Sequence, residues 1–172
     1  MSYRLQEKVA IVTGASKALG AAIAKHFAAE GASVVVNYSS SKEAADDVVD
    51  EIVEAGGKAI AIKANMRDAD DVRQLFAQAN EAYGRIDVLV NNVGVYDFQP
   101  VENLSLELFR KHFELNVFGY LLAIREAATY MPDGGSIINM SSTVTLFGPE
   151  NASVYSATKG AFQADSARQQ IA

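Results

Sequence analysis

An α/β fold, a doubly wound parallel sheet with helices on both faces, is the fold class this sequence predicts. Two observations carry that prediction. Short uninterrupted apolar runs rich in Val and Ile alternate with longer stretches of helical periodicity, as strands buried on both faces do. The first apolar run breaks at Thr13-Gly14 just before an Ala-rich helical stretch, so the chain opens strand, Gly turn, helix. The 172 residues suffice for one domain with its own core, and no repeat beyond the βα unit or composition break divides 1–172.

Each element follows from local chemistry. Lys8–Val12 reads as the first strand and 18–30 as the first helix, stopped by Gly31. Ser33–Val36 is a β-branched strand. Residues 41–55 carry helical periodicity through Ala45, Val48, Val49, Ile52 and Val53 and end at Gly56-Gly57. Lys58–Ile62 is a third strand; 68–83 is a helix with Val72, Leu75, Phe76 and Ala79 inward, closed by Gly84. Ile86–Val90 is a fourth strand, 103–130 a long helical stretch and Ser136–Met140 a fifth strand. A further helix begins near Tyr155. Right-handed crossovers through these units give a Rossmann-type arrangement.

Composition narrows the function. Hydrophobic residues at 49% and charged residues at 21% fit a globular protein, and a net charge of −6 argues against nucleic acid or an anionic membrane as partner. Without cysteine there is no disulfide, thiolate metal site or Cys nucleophile. The N-terminus lacks the apolar core of a signal peptide and no run has spanning length, so a cytoplasmic location is the default expectation. His26 and His112 read as surface or packing residues, and Asp68, Asp70 and Asp71 as a solvated helix start, so no metal site is expected.

The turn from Thr13 to Gly20 points to a nucleotide. Gly14 permits the tight turn, Gly20 permits close packing, and the helix start presents free N–H groups and a partial positive charge to a pyrophosphate. Gly14, Ser16, Lys17, Leu19 and Gly20 are its candidate contacts. An acidic residue ending the second strand would favour NAD; Asn37-Tyr38-Ser39-Ser40-Ser41 stands there instead. These hydroxyls and Lys17 suit a 2′-phosphate, so NADP(H) is favoured, with NAD use left open because no arginine stands there. Ser41 also suits the N-cap of the following helix.

Tyr155-Ser-Ala-Thr-Lys159 places a phenol and an ammonium on one helix face. An ammonium near a phenol favours the phenolate, and such a pair passes a proton to or from an alcohol near neutral pH.

These motifs together resemble the short-chain dehydrogenase/reductase family, from about Leu5 to Phe162. Thr13-Gly14-x-x-x-Ala18-x-Gly20 resembles its cofactor turn, with Ala18 where glycine is more usual. Asn91-Asn92-Val93-Gly94 resembles its segment after the fourth strand, and Asn116, Ser142, Tyr155 and Lys159 fall in its catalytic order. The Asn-Tyr-Ser ending of the second strand is closest to the 3-oxoacyl-thioester reductases and glucose-dehydrogenase-like members. The resemblance implies that Tyr155 is general acid in carbonyl reduction and general base in alcohol oxidation, and that Ser142 hydrogen-bonds the substrate oxygen. Lys159 would bind the nicotinamide ribose and Asn116 would hold a water linked to Lys159. Asn65 and Met66 would flank the adenine, and Asn91 and Gly94 would lie near the adenosine ribose. Considered singly, Ser141 and Ser142 also suit a turn cap, and Asn116 also suits a mid-helix backbone contact. A homodimer or homotetramer through the helices around 103–130 and 155–170 is a further expectation, with Phe109, Phe113, Phe118 and Leu121 in the core or that interface.

Measured against this family the chain is expected to be C-terminally incomplete, lacking a sixth strand, a substrate-covering segment and a seventh strand. Residues after Phe162 look more like the segment following a substrate lid than like a continuing helix. Either residues are missing, or the chain is truncated with a sheet edge unpaired. The second case leaves an alternative function: a non-catalytic nucleotide-binding or interaction protein. Substrate choice would rest on Val95, Tyr96, Thr143, Val144, Phe147 and Glu150.

Overall fold

Five strands form one fully parallel sheet. In the computed structural model, which describes residues 3–163, they are β1 (Val9–Val12), β2 (Ser33–Tyr38), β3 (Lys58–Lys63), β4 (Val88–Asn91) and β5 (Ser136–Asn139). Their order is β3-β2-β1-β4-β5, so the chain winds outward one way from β1, then crosses back and winds the other way. The crossing point opens a crevice beyond the carboxyl ends of β1, β2 and β4, where ligands bind in open α/β sheets. The final segment 164–172, read above as following a substrate lid, lies outside the described residues, as do Met1, Ser2 and the end of the expected 155–170 helix.

Two apolar layers hold the sheet, because successive strand residues face opposite sides. Ile11, Val35 and Leu89 face a core built from α3 (Ala69–Tyr83) and α5 (Gly119–Tyr130), filled by Leu75, Phe76, Leu122 and Ala123. Val12, Val34, Val36, Val88 and Val90 face α1 (Ala18–Ala29) and α2 (Lys42–Glu54), whose small Ala21, Ala24, Ala28 and Ala45 let both helices lie close. Phe76 is fully buried, and truncating such a side chain costs about 3–5 kcal/mol.

The remaining elements bear on the site. The long helical stretch expected over 103–130 is present and runs without a break from 106 to 130 as α4 (Leu106–Phe113), a π-helical turn over Glu114–Phe118, and α5. A single-turn 3₁₀ helix, Val101–Asn103, precedes them. Ser105 caps α4 by accepting from Leu108 N–H, and Asp68 caps α3 by accepting from Asp70 and Asp71 N–H. Ser41 stands at the N-cap position of α2, but its side chain makes no capping bond there, correcting the expectation. A short helix absent from the sequence reading, α6 (Val144–Phe147), follows β5, and α7 (Ser153–Gly160) carries Tyr155 and Lys159. No described helix is long and apolar enough to cross a membrane.

Candidate active site

A cleft of about 570 Å³ lies at the carboxyl ends of β1 to β3, walled by the β1–α1 turn, the end of β2, the start of the β3–α3 loop and the segment after β4. Gly14 adopts φ +63°, and a Cβ there would sit 3.0 Å from Val93. Asn37, fully buried, ties the turn to the sheet: its Oδ1 accepts from Gly14 N–H (3.1 Å) and its Nδ2 donates to Ala64 O (3.2 Å) and Ile62 O (3.4 Å). An aspartate would turn an oxygen toward those carbonyls, so the amide at this strand end is a packing requirement as well as a cofactor-facing choice.

The lining has one electrostatic character. Lys17 and Arg67 are its charged members, and among the described residues no carboxylate lines it, in a chain of net charge −6. The first turn of α1 holds no acidic residue, so its positive end is not neutralised locally. Of the expected cofactor contacts, Gly14, Ser16, Lys17, Leu19, Gly20, Asn37, Tyr38, Ser39, Asn65, Met66 and Gly94 all line this cleft. Asn91 lies behind its wall: it is fully buried and donates to Asn139 Oδ1 at 2.9 Å. Asn92 lines the cleft in its place and donates to Thr13 O (2.9 Å) and Gly14 O (3.3 Å). Arg67, unnoticed in the sequence, reaches the cleft from the β3–α3 loop, and its guanidinium donates to Lys111 O at 3.2 Å.

Asn116, Tyr155 and Lys159 gather beyond Gly94, while Ser142 stands next to Ser141, whose hydroxyl bonds the Lys159 backbone. A Cβ on Gly94 would lie 3.4 Å from Asn116 Oδ1 and 3.7 Å from Lys159 Nζ, so this glycine is where the cofactor cleft passes into the second group. Asn116 sits in the π-helical turn, fully buried. It accepts from Val95 N–H (2.9 Å) and donates to Val95 O (2.8 Å) and to Thr158 Oγ1 (3.1 Å), which itself donates to Tyr155 O. Asn116 therefore clamps the segment after β4 to α7. The backbone it satisfies belongs to Val95 rather than to its own helix.

Lys159 is buried at 5% exposure and donates to Met140 O (2.7 Å) and Tyr120 Oη (3.3 Å). Its ammonium lies 6.0 Å from the Tyr155 ring centroid and 5.3 Å from that of Tyr120. Tyr120 is a second finding that sequence reading missed. Burial raises its pKa, first among the causes, with Tyr155 adding to the shift, so Tyr120 faces Lys159 as a neutral phenol. Ser142 accepts weakly from Val144 N–H (3.4 Å) at the start of α6, while Ser141 donates to Lys159 O (3.2 Å), so β5 delivers this pair alongside α7.

Burial of the Lys159 ammonium lowers its pKa from 10.5 to about 8. Below about pH 8 both folded and unfolded chains hold the proton. Between about 8 and 10.5 the unfolded chain retains a proton that the folded chain has released, so stability rises with pH across that window. The full rise is about 3 kcal/mol. Urea denaturation at pH 7.5 and pH 9.5 should show most of it, and Lys159→Met should remove it. An identical pH slope in the variant would mean that Lys159 keeps an ordinary pKa.

Among the described residues no cluster of His, Asp or Glu is arranged to hold a metal. His112, expected at the surface or in packing, is fully buried: Nδ1 donates to Leu108 O (2.9 Å) and Nε2 accepts from Asp97 N–H (3.0 Å).

The family model for short chain dehydrogenases matches residues 8–168. The chain belongs to the short chain dehydrogenase family. It is 53% identical over 161 residues to an uncharacterized oxidoreductase of Methylorubrum extorquens, covering 94% of this chain and 65% of that protein. A versicolorin reductase of Emericella nidulans is 44% identical, with 93% of this chain and 61% of that protein covered. A short chain dehydrogenase of Burkholderia cenocepacia, solved in complex with NADP, superposes with a TM-score of 0.89 at 39% identity, covering 92% of this chain and 65% of that one. The chain thus spans somewhat less than two thirds of the length of these relatives. Within the family frame Ala18 is a local departure: it adopts φ +50°, a left-handed conformation that glycine takes without strain.

Proposed function

We propose that this chain carries the cofactor-binding and catalytic groups of an NADP(H)-dependent oxidoreductase acting on a carbonyl or secondary alcohol. The observation that carries the reading is a cleft lined, among the described residues, by Lys17 and Arg67 and no carboxylate, which passes at Gly94 toward the buried Lys159 and the half-buried Tyr155 beside it. The α1 start and Gly20 suit a pyrophosphate, Ser39 and Lys17 suit a 2′-phosphate, and Asn65 and Met66 suit an adenine. The NADP held by the Burkholderia structure supports the same choice. When bound, the cofactor supplies or accepts the hydride. Tyr155 passes the proton between its hydroxyl and the substrate oxygen, and Ser142 donates a hydrogen bond to that oxygen as charge develops. Lys159 contributes positive charge beside the phenol, and Asn116 and Tyr120 fix where Lys159 and α7 stand.

Lys17→Ala and Arg67→Ala should each weaken NADPH binding about tenfold while changing NADH binding less than about twofold, read by fluorescence titration of the reduced cofactor. Equal losses for both cofactors would assign the two cations to the pyrophosphate and overturn the NADP(H) preference. Assembly is part of the proposal. Leu106, Phe109, Phe118 and Leu121 on α4, the π-helical turn and α5 are all at least 43% exposed, and a second copy of this chain is the partner we assign to them. Light scattering that shows a monomer at micromolar concentration would refute that assignment.

A further inference from the structure

The segment from Gly94 to Pro100 has no regular secondary structure, yet its exposure alternates residue by residue: 94, 96, 98 and 100 are exposed, and 95, 97 and 99 half-buried. The alternation has a visible cause. The odd residues are tied down in turn. Val95 exchanges two hydrogen bonds with Asn116, Asp97 N–H donates to His112 Nε2, and Gln99 N–H donates to Asn151 O at 2.9 Å. The Asp97 carboxylate adds an ion pair to Lys111 (2.7 Å) and accepts from Gln99 Nε2 (3.0 Å), and Val95 packs on the core. An extended chain pinned at alternate residues must turn the others the opposite way. Tyr96 and Phe98 are those others, 73% and 45% exposed although large and aromatic.

Their rings meet the catalytic candidate. Tyr96 lies 6.2 Å from Tyr155 edge-on, Phe98 lies 5.9 Å from it at a tilt, and Tyr96 and Phe98 are 6.1 Å apart. Tyr96 also lines the cofactor cleft, so the aromatic surface spans from that cleft to the proton donor. Two exposed rings on a pinned backbone give a low-entropy surface that matches flat π-faces in offset or edge geometry.

We infer that Tyr96 and Phe98 form an aromatic platform that selects planar aryl carbonyl substrates over saturated ones of the same skeleton. This rests on the oxidoreductase reading for its catalytic meaning, but the platform is a binding property and is tested by binding. The probes are 1-tetralone and its saturated counterpart 1-decalone, titrated into the purified protein by ligand-observed NMR with and without NADPH. The wild type should bind 1-tetralone about fivefold more tightly than 1-decalone or better. Tyr96→Ala and Phe98→Leu should bring the two ketones within about twofold, and Tyr96→Phe, which keeps the ring, should keep the preference. Tyr96 is exposed, so Tyr96→Ala leaves the core intact, and circular dichroism checks that it does. Equal affinities in the wild type, or a preference unchanged in both ring-removing variants, overturn the platform. A preserved preference without any turnover supports the platform while sinking the oxidoreductase reading; equal binding with normal turnover does the reverse.

Discussion

Tyr155→Phe is expected to reduce ketone turnover by about 10³-fold or more while leaving the fold and NADPH binding close to wild type. The size follows from the step removed: a positioned general acid contributes about 10²–10⁴-fold, and phenylalanine has no proton to give. The selectivity follows from the surroundings of the ring. Among the described residues the Tyr155 hydroxyl makes no hydrogen bond within the chain, while its ring is held by Tyr96 and Phe98, contacts that phenylalanine retains. The cost in stability is therefore within about 0.5 kcal/mol, the range of a substitution that breaks no buried bond. The assay is NADPH oxidation with a ketone panel, beside NADPH titration of the same preparations. Turnover within tenfold of wild type would remove Tyr155 from the mechanism. If the wild type binds NADPH and reduces nothing on the panel, the non-catalytic nucleotide-binding alternative takes its place.

Lys159 is bound to that outcome through a different neighbour than the sequence suggests. The spacing from Tyr155 to Lys159 places both on one face of α7, and the structure keeps them there. The ammonium's hydrogen bonds, however, go to Tyr120 and Met140. Tyr120 was not legible because an aromatic residue in a long apolar helix reads as core, and its phenol finds Lys159 only through the tertiary fold. The π-helical turn that carries Asn116 was equally hidden, since an i→i+5 turn leaves no mark on a 3.6-residue periodicity. His112 gave no sign of the loop it pins.

What could be read had strong local causes. The strands are runs of Val and Ile at the sheet centre, and Gly31 and Gly84 end or follow helices in left-handed conformations. The cleft residues of the β1–α1 turn and the end of β2 were legible for the same reason. Arg67 is not legible from the β1–α1 turn and the end of β2 alone, where Lys17 and the Ser39 run stand as phosphate partners. Yet β2 and β3 pair in parallel with Tyr38 opposite Lys63, so the loops that follow them lie side by side. Applying that adjacency to the sequence would have placed Arg67 beside the Ser39 run.

Gly20→Ala is expected to be the more damaging test of the cleft, because the space it needs is backbone. A Cβ there would stand 2.5 Å from Gly14 O, 2.6 Å from Asn92 Nδ2 and 2.9 Å from Ala15 Cα. Asn92 cannot swing aside freely, since its amide is spent on Thr13 O and Gly14 O. The turn must open or the start of α1 must lift away, and either displaces the N–H groups that face the cleft. Overpacking of this kind costs about 1–3 kcal/mol, and three obstructed directions put this site at the upper end. NADPH affinity should fall about 100-fold or more, because a cradle of backbone donors loses its shape as a unit. Ala18→Gly, two residues away, has the opposite sign. It relieves a left-handed alanine at φ +50° and should raise stability by about 1 kcal/mol with cofactor affinity unchanged. Urea midpoints and NADPH titration of the two variants separate close approach from dihedral strain within one turn. A Gly20→Ala protein with wild-type midpoint and affinity would mean that the β1–α1 turn is not the phosphate cradle, and the cleft would need another ligand.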